Sequence, residues 1–172
     1  DNFNEDSVSL LNNAGNFGVE ITDDSYTAGT TFTGSEGRDT ITNNAEDFII
    51  DSGAGNDSLT NNASNVSITG GAGSDKINNV GSNVSITGGR GSDNVTLSGG
   101  DEAARNTFVY SSGDGNDRIY NFKANDTIKI ADDSSVAADI SGNDVVFQVG
   151  NGSITVKDGV NLPDGILFVG AN

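Results

Sequence analysis

Four aspartates, Asp39, Asp57, Asp75 and Asp93, recur at intervals of 18 residues, and the text around them recurs in phase. Val66 to Asn83 reads VSITGGAGSDKINNVGSN, and Val84 to Asp101 reads VSITGGRGSDNVTLSGGD. The same frame gives FIIDSGAGNDSLTNNASN from Phe48 and TTFTGSEGRDTITNNAED from Thr30. Ile41, Leu59, Ile77 and Val95 form a second column two residues after the aspartates. A fifth copy, FVYSSGDGNDRI from Phe108, puts Asp117 and Ile119 in those columns after an interval of 24, which reads as six residues inserted in a loop within Ser98 to Asn106. Upstream, SLLNNAGNFGV (Ser9 to Val19) matches SLTNNASNVSI (Ser58 to Ile68), and Phe3 to Val8 before it has no glycine–aspartate turn, so it reads as a worn coil without a metal site. A fixed period of this length is the mark of a stacked repeat.

Each repeat holds two short alternating runs, such as Val66–Ser67–Ile68 and the residues around Ile77. Apolar residues two apart bury one face of a strand. Strands this short cannot stand alone, so each must pair in parallel with its copy one repeat on, about 4.8 Å away. With 33% hydrophobic residues and 24 glycines, the chain can fill only a thin core between two such sheets. The expected fold is all-β: a parallel β-roll, a right-handed β-helix of 18-residue coils, with a C-terminal β-rich cap. The expected divisions are a degenerate coil over 1–33, the roll over 34–120 and the cap over 121–172. The second turn of each coil, such as Asn78 to Asn83, lacks the glycine–aspartate pattern but repeats Asn43, Asn61 and Asn79, and also Asp47, Asn65 and Asn83. Asn79 shares parity with inward Ile77, so its column is expected to form an inward ladder that satisfies turn amides and carbonyls.

The absence of His and Cys removes imidazole bases, thiol nucleophiles, disulfides and the usual zinc sites. Hard oxygen donors remain, and they suit Ca²⁺ or Mg²⁺. A net charge of −17 repels nucleic acid and anionic membrane surfaces while calling for cations. In the Gly-x-Gly-x-Asp turn, glycine lets the backbone aim its carbonyls at one point, and the aspartate adds a carboxylate. One turn offers too few ligands for calcium, which takes six to eight oxygens; two stacked turns offer enough. Five turns define four gaps, so about four ions are expected between coils.

These turns resemble the RTX (repeats-in-toxin) family of proteins exported by type I secretion, whose repeat is Gly-Gly-x-Gly-x-Asp-x-U-x with U apolar. GGAGSDKI at Gly70 to Ile77 and GGRGSDNV at Gly88 to Val95 match fully. GSEGRDTI, SGAGNDSL and SGDGNDRI each carry one serine in the opening pair. The resemblance covers Gly34 to Ile119. It implies that the carbonyls of Gly71 and Gly73 with Asp75 face those of Gly88 and Arg90 with Asp93, and that the neighbouring gaps repeat the arrangement. The implied ligand positions are therefore Ser35, Gly37 and Asp39; Ser52, Gly53, Ala54, Gly55 and Asp57; Gly70, Gly71, Ala72, Gly73 and Asp75. They continue with Gly88, Gly89, Arg90, Gly91 and Asp93, and end with Ser112, Asp114 and Asp117. Family members often place a calcium turn every nine residues. Here it recurs every 18, so one loaded edge is expected.

The resemblance further implies a calcium-binding module of a larger protein, secreted or at a bacterial cell surface, whose folding on calcium is coupled to export. The chain is expected to be monomeric, continuous with a functional domain upstream of Asp1, and without nucleic-acid partners or membrane insertion. No transmembrane stretch or signal peptide is visible. After Asn121 the period fades into DTIKI, DVVFQV, SITVKD and ILFVG, a cap for the open end of the stack. Of its aromatic residues, Phe108, Tyr110, Tyr120, Phe122, Phe147 and Phe168, most alternate with polar residues and are expected to face inward. Asp126 and Asp144, also 18 apart, read as turn residues and not as ligands.

Adhesion or carbohydrate recognition is the alternative function. Ice binding, known for some one-edged RTX stacks, is disfavoured because the turn positions hold Glu36 and Arg38, Ala54 and Asn56, Ala72 and Ser74, and Arg90 and Ser92 in place of a threonine array. No catalytic centre is expected. The pairs Asp23–Asp24 and Asp132–Asp133 have no evident partner and read as solvated loop residues.

Overall fold

The computed structural model describes residues 7–9, 18–21, 27–99, 105–162 and 167–169. The chain winds as a parallel β-solenoid in which each coil gives one strand to each of two sheets. The first coil holds β1 (Ser7–Ser9) and β2 (Gly18–Ile21), the second β3 (Thr31–Thr33) and β4 (Thr40–Asn43), and the third β5 (Ile49–Asp51) and β6 (Ser58–Asn61). Then come β7 (Ser67–Gly73) with β8 (Lys76–Asn79), β9 (Ser85–Gly91) with β10 (Asn94–Leu97), and β11 (Thr107–Tyr110) with β12 (Asn116–Tyr120). After β13 (Thr127–Ile130) an antiparallel hairpin, β14 (Val136–Ser141) and β15 (Asp144–Val149), leads into β16 (Gly152–Val156), a 3-10 turn at Gly159–Asn161, and β17 (Leu167–Val169).

Odd-numbered strands stack in the order β1-β3-β5-β7-β9-β11-β13-β17, and even-numbered ones from β2 to β12 run on into β16, β15 and β14. Between the sheets, Phe32, Ile50, Ile68, Ile86, Phe108 and Ile128 face Ile41, Leu59, Ile77, Val95, Ile119 and Val156, all buried. Registers such as Ile68↔Ile86 and Ile77↔Val95 keep like residues stacked, because a slip of one residue turns every apolar side chain outward. Each such side chain contributes roughly 1.5–3 kcal/mol by leaving water.

The sheets do not stop at residue 120, where the repeat ends. β13 pairs with β11 and β16 with β12, so the cap continues the solenoid before the hairpin covers it. The six extra residues of the fifth copy are divided, not gathered in one loop. Phe108 stacks on Ile86, an interval of 22, while Ile119 stacks on Val95, an interval of 24. Four extra residues therefore precede β11, and two widen the glycine turn. Tyr110 fills that widened turn: its ring is buried and its hydroxyl donates to the Gly115 carbonyl at 2.6 Å.

The upstream alignment is corrected by half a coil. Ser9 pairs with Thr33 and Val19 with Ile41, so Val19 belongs to the column of Leu59 and not that of Ile68. The two halves of a coil share one strand–turn–strand grammar, and an eleven-residue match cannot tell them apart. Residues 10–17 lie outside the described residues, as do Asp23 and Asp24.

The asparagine column is an inward ladder. Asn43 Nδ2 donates to Asn61 Oδ1 and Asn61 Nδ2 to Asn79 Oδ1, both at 2.7 Å. Each also reaches a carbonyl two residues on: Ala45 at 2.9 Å, Ala63 at 2.7 Å and Gly81 at 3.0 Å. Asp47, Asn65 and Asn83 turn the chain with φ of 56°, 61° and 57°, a left-handed state that Asn and Asp tolerate.

Candidate metal centre

On the opposite edge, each glycine turn leads into a buried aspartate: Asp39, Asp57, Asp75, Asp93 and Asp117 are all at most 2% exposed. Gly71 and Gly73 show why glycine is needed there. Their φ values are 98° and 134°, and a Cβ on either would collide with the carbonyl oxygen of Gly53 or Gly55 in the preceding coil. Successive turns thus lie backbone on backbone. Ala54 N donates to Ser35 O and Ala72 N to Gly53 O, both at 3.0 Å, and Gly55 N donates to Ala72 O at 2.8 Å.

The aspartates are held by one oxygen each. The Asp39 N–H donates to Asp57 Oδ1, that of Asp57 to Asp75 Oδ1, and that of Asp75 to Asp93 Oδ1, all at 2.8 Å; that of Asp93 reaches Asp117 Oδ1 at 2.9 Å. The second oxygen, Oδ2, of Asp57, Asp75, Asp93 and Asp117 is buried without a hydrogen-bond partner. Asp39 differs because the Ser35 N–H donates to its Oδ2 at 2.7 Å and the Ser35 hydroxyl reaches both oxygens. Buried polar atoms are otherwise almost always paired, so four such oxygens in one row require an explanation.

Electrostatics repeats the demand. Burial pushes the carboxyl of Asp75 up to about 7, that of Asp93 up to about 6 and that of Asp117 up to about 8, with neighbouring carboxylates adding to the shift. Asp57 is raised by the same burial. Ionised carboxylates in this row are short of positive charge.

The residues fit a hard cation. Beside Gly70, the place a Cβ would occupy lies 2.6 Å from Asp75 Oδ2 and 2.5 Å from the Gly88 carbonyl oxygen. Oxygens of two coils therefore converge there. Among the described residues no three acidic side chains gather at one point. With one carboxylate per coil, any cage draws most of its oxygens from the main chain, as calcium accepts and transition metals do not.

The structure brings together, along one edge, the expected positions from Ser35 to Asp93 and Asp117. The serine at the second turn is accommodated: the Ser52 hydroxyl donates to the Gly70 carbonyl at 2.6 Å, and its nearness to the Asp57 carboxyl offsets part of the rise that burial causes there. The fifth turn departs from the expected pattern. Asp114 bends back so that its Oδ2 accepts the Ser111 N–H at 2.7 Å, and the exposed Ser112 gives its N–H to Asp132 at 2.6 Å. The side chain of Asp114 is thus not aimed between coils; only its carbonyl joins the stack, accepting from Gly91 N at 2.7 Å. The row of aspartates ends at Asp117, where Ile154 takes the next position. Asp126 and Asp144 stay out of the row. Asp126 accepts N–H groups of Asn106 and Lys123, both at 2.9 Å, and Asp144 pairs with Lys157. The aromatic expectation needs one correction: Phe108, Tyr110, Phe122 and Phe147 are buried, but Tyr120 lies on the outer face, one residue past inward Ile119. Phe168 lies in a strand whose side chains are outside the description.

No family model and no curated protein matches this chain. Among solved structures it is similar to the extracellular lipase LipA from Serratia marcescens, at 15% identity and a TM-score of 0.46. That likeness covers 88% of this chain and 40% of the lipase, so the chain spans well under half of that protein's length. Among the described residues no helix is long and apolar enough to cross a membrane.

Proposed function

We propose that the chain is a calcium-binding β-roll module of a larger secreted or cell-surface protein, and that calcium drives its folding. The row of unpartnered buried carboxylate oxygens on Asp57, Asp75, Asp93 and Asp117 carries the reading. Four gaps between five turns take four ions, each held by an aspartate oxygen and by main-chain carbonyls of adjacent turns. The role of the site is structural. The pair Asp132–Asp133 offers no second group for acid–base work, since Asp132 is occupied as an acceptor for Ser112 and Ser134.

Extracellular calcium modules bind with dissociation constants of about 10⁻⁴–10⁻³ M. At roughly tenfold saturation one ion stabilises by about 1.4 kcal/mol, and four by about 6. That matches the whole stability of many domains, about 5–15 kcal/mol. At sub-micromolar calcium the contribution vanishes and the buried carboxylates repel, so the chain stays unfolded before export and folds outside. Isothermal titration with calcium, paired with far-ultraviolet circular dichroism, tests this at pH 8. Uptake of about four ions with a gain of strand signal is expected; no uptake at millimolar calcium would refute it.

A further inference from the structure

The outer face of the even-numbered sheet carries no carboxylate on β4, β6, β8, β10, β12 or β16, in a chain with 25 acidic residues. Its outward positions hold threonine, serine and asparagine, with Lys76 and Arg118 in one column and Tyr120 in the next. Lys76 and Arg118 are exposed, and neither forms a salt bridge among the described residues. At the sheet's margin Lys157 neutralises Asp144. Lys76, Asn94, Thr96 and Tyr120 line a shallow groove on this face. We propose that this face binds an extended anionic polysaccharide, with Lys76 and Arg118 pairing to acid groups across Asn94, and with Tyr120, beside Arg118 on β12, stacking on a sugar ring.

Three observations select that ligand. Lys76 and Arg118 stand two rungs apart, about 9.6 Å at the inter-strand spacing. Duplex DNA carries a charge about every 1.7 Å and would meet the acidic remainder of the chain; a polymer with one acid group per sugar unit or two spaces its charges far more widely. The strands from β4 to β12 are paired on both sides, so a peptide cannot add to this face as a further strand. The groove presents hydroxyl, amide and ammonium groups beside one aromatic ring, which suits the hydroxyls and the faces of pyranose rings. The net charge does not forbid the contact. Fields beyond about 8 Å are screened at physiological salt, and each bound divalent cation removes two negative charges.

The test titrates the calcium-saturated chain with a uronic-acid octasaccharide by calorimetry, with a neutral dextran oligomer as the control. Calcium taken up by the sugar is common to all variants and drops out of the comparison. Wild type binds the uronate, weakens as salt is raised, and does not bind dextran. The double variant K76Q/R118Q and the single variant Y120A each bind about tenfold more weakly or less, while their calcium-dependent circular dichroism is unchanged. The variant R105Q/K129Q, which removes Lys129 of β13 in the opposite sheet and Arg105 just before β11, binds as wild type does. The proposal is overturned if wild type gives no binding, if R105Q/K129Q weakens binding as much as K76Q/R118Q, or if a polyglutamate peptide of equal charge binds more tightly than the sugar.

Discussion

Replacing Asp75 by asparagine should move the stability of the roll in opposite directions with and without calcium. Asparagine keeps the shape and keeps an Oδ1 to accept the Asp57 N–H, now held at 2.8 Å. It replaces the unpartnered Oδ2 by an amide nitrogen, which donates and does not ligate. Without metal, the variant removes a buried charge. A carboxyl raised from 3.8 to about 7 costs its ionised form at most about 4 kcal/mol at pH 8. Relaxation and water penetration around a buried charge reduce this to roughly 2 kcal/mol. The metal-free variant should therefore be about 2–4 kcal/mol more stable than metal-free wild type.

With calcium, Asp75 borders two of the four gaps. Losing its oxygen weakens two ions, and the calcium-dependent gain should fall from about 6 to about 3 kcal/mol. The assay is circular dichroism at pH 8 in two conditions: urea unfolding in millimolar calcium and, with chelator, refolding by a stabilising osmolyte, which gives the metal-free chain a folded population to measure. A variant that matches wild type in both conditions refutes the reasoning. So does one destabilised equally in both, because that result would make Asp75 an ordinary hydrogen-bonded core residue.

Three further outcomes follow from the same geometry. The folded chain binds protons at Asp75, Asp93 and Asp117 more tightly than the unfolded chain, so metal-free stability should fall as pH climbs from about 4 towards 8; a metal-free melting temperature that rises over this range contradicts the assignment. Asn61→Ala should cost about 2–4 kcal/mol in urea unfolding of the calcium-loaded chain with calcium stoichiometry unchanged, because it removes the acceptor for one of the two Asn43 Nδ2 hydrogen bonds and the donor to the Ala63 carbonyl. Gly73→Ala should cost roughly 1–3 kcal/mol from backbone strain alone, more once the carbonyl of Gly55 is displaced, and should lower calcium stoichiometry in titration; unchanged stoichiometry counts against the role of the turn.

The phase of the aspartates and of the apolar columns was legible because both repeat without slip from Asp39 to Asp93, and side-chain parity follows directly from strand geometry. Asn79 could be placed inside for the same reason. What misled was local matching without a period. SLLNNAGNFGV resembles SLTNNASNVSI because both halves of a coil use the same alternation, and only pairing along the stack separates them. The fifth coil hid a second kind of information: Tyr110 continues the alternation of β11 and reads as a strand residue, but its length lets it fill a turn two residues wider than the others. Tyr120 is the exception among the aromatics, and its parity with Asn78 and Thr96, both outward, decides its face over its aromatic character. The reach of Ser35 to Asp39 had a faint sequence signal, serine in place of the second glycine, but nothing in the spacing says that its hydroxyl would satisfy the carboxylate.

The two edges of the roll solve one problem with different chemistry, and the difference explains why only one of them is proposed to take calcium. At each edge an inward polar residue must satisfy the backbone of a tight turn. An amide both donates and accepts, so Asn43, Asn61 and Asn79 bond one another along the stack and their turns as well. A carboxylate only accepts. Asp57, Asp75, Asp93 and Asp117 take one N–H each from the coil before, and no donor remains for the second oxygen. Repeating the residue multiplies the deficit, because every added coil adds a like charge about 4.8 Å from the last. The asparagine edge is complete without a cation, whereas the aspartate edge is short of positive charge. On the proposed reading, a stack with amides on both edges would fold inside the cell, and exchanging one column for aspartate makes the same core conditional on the ion outside.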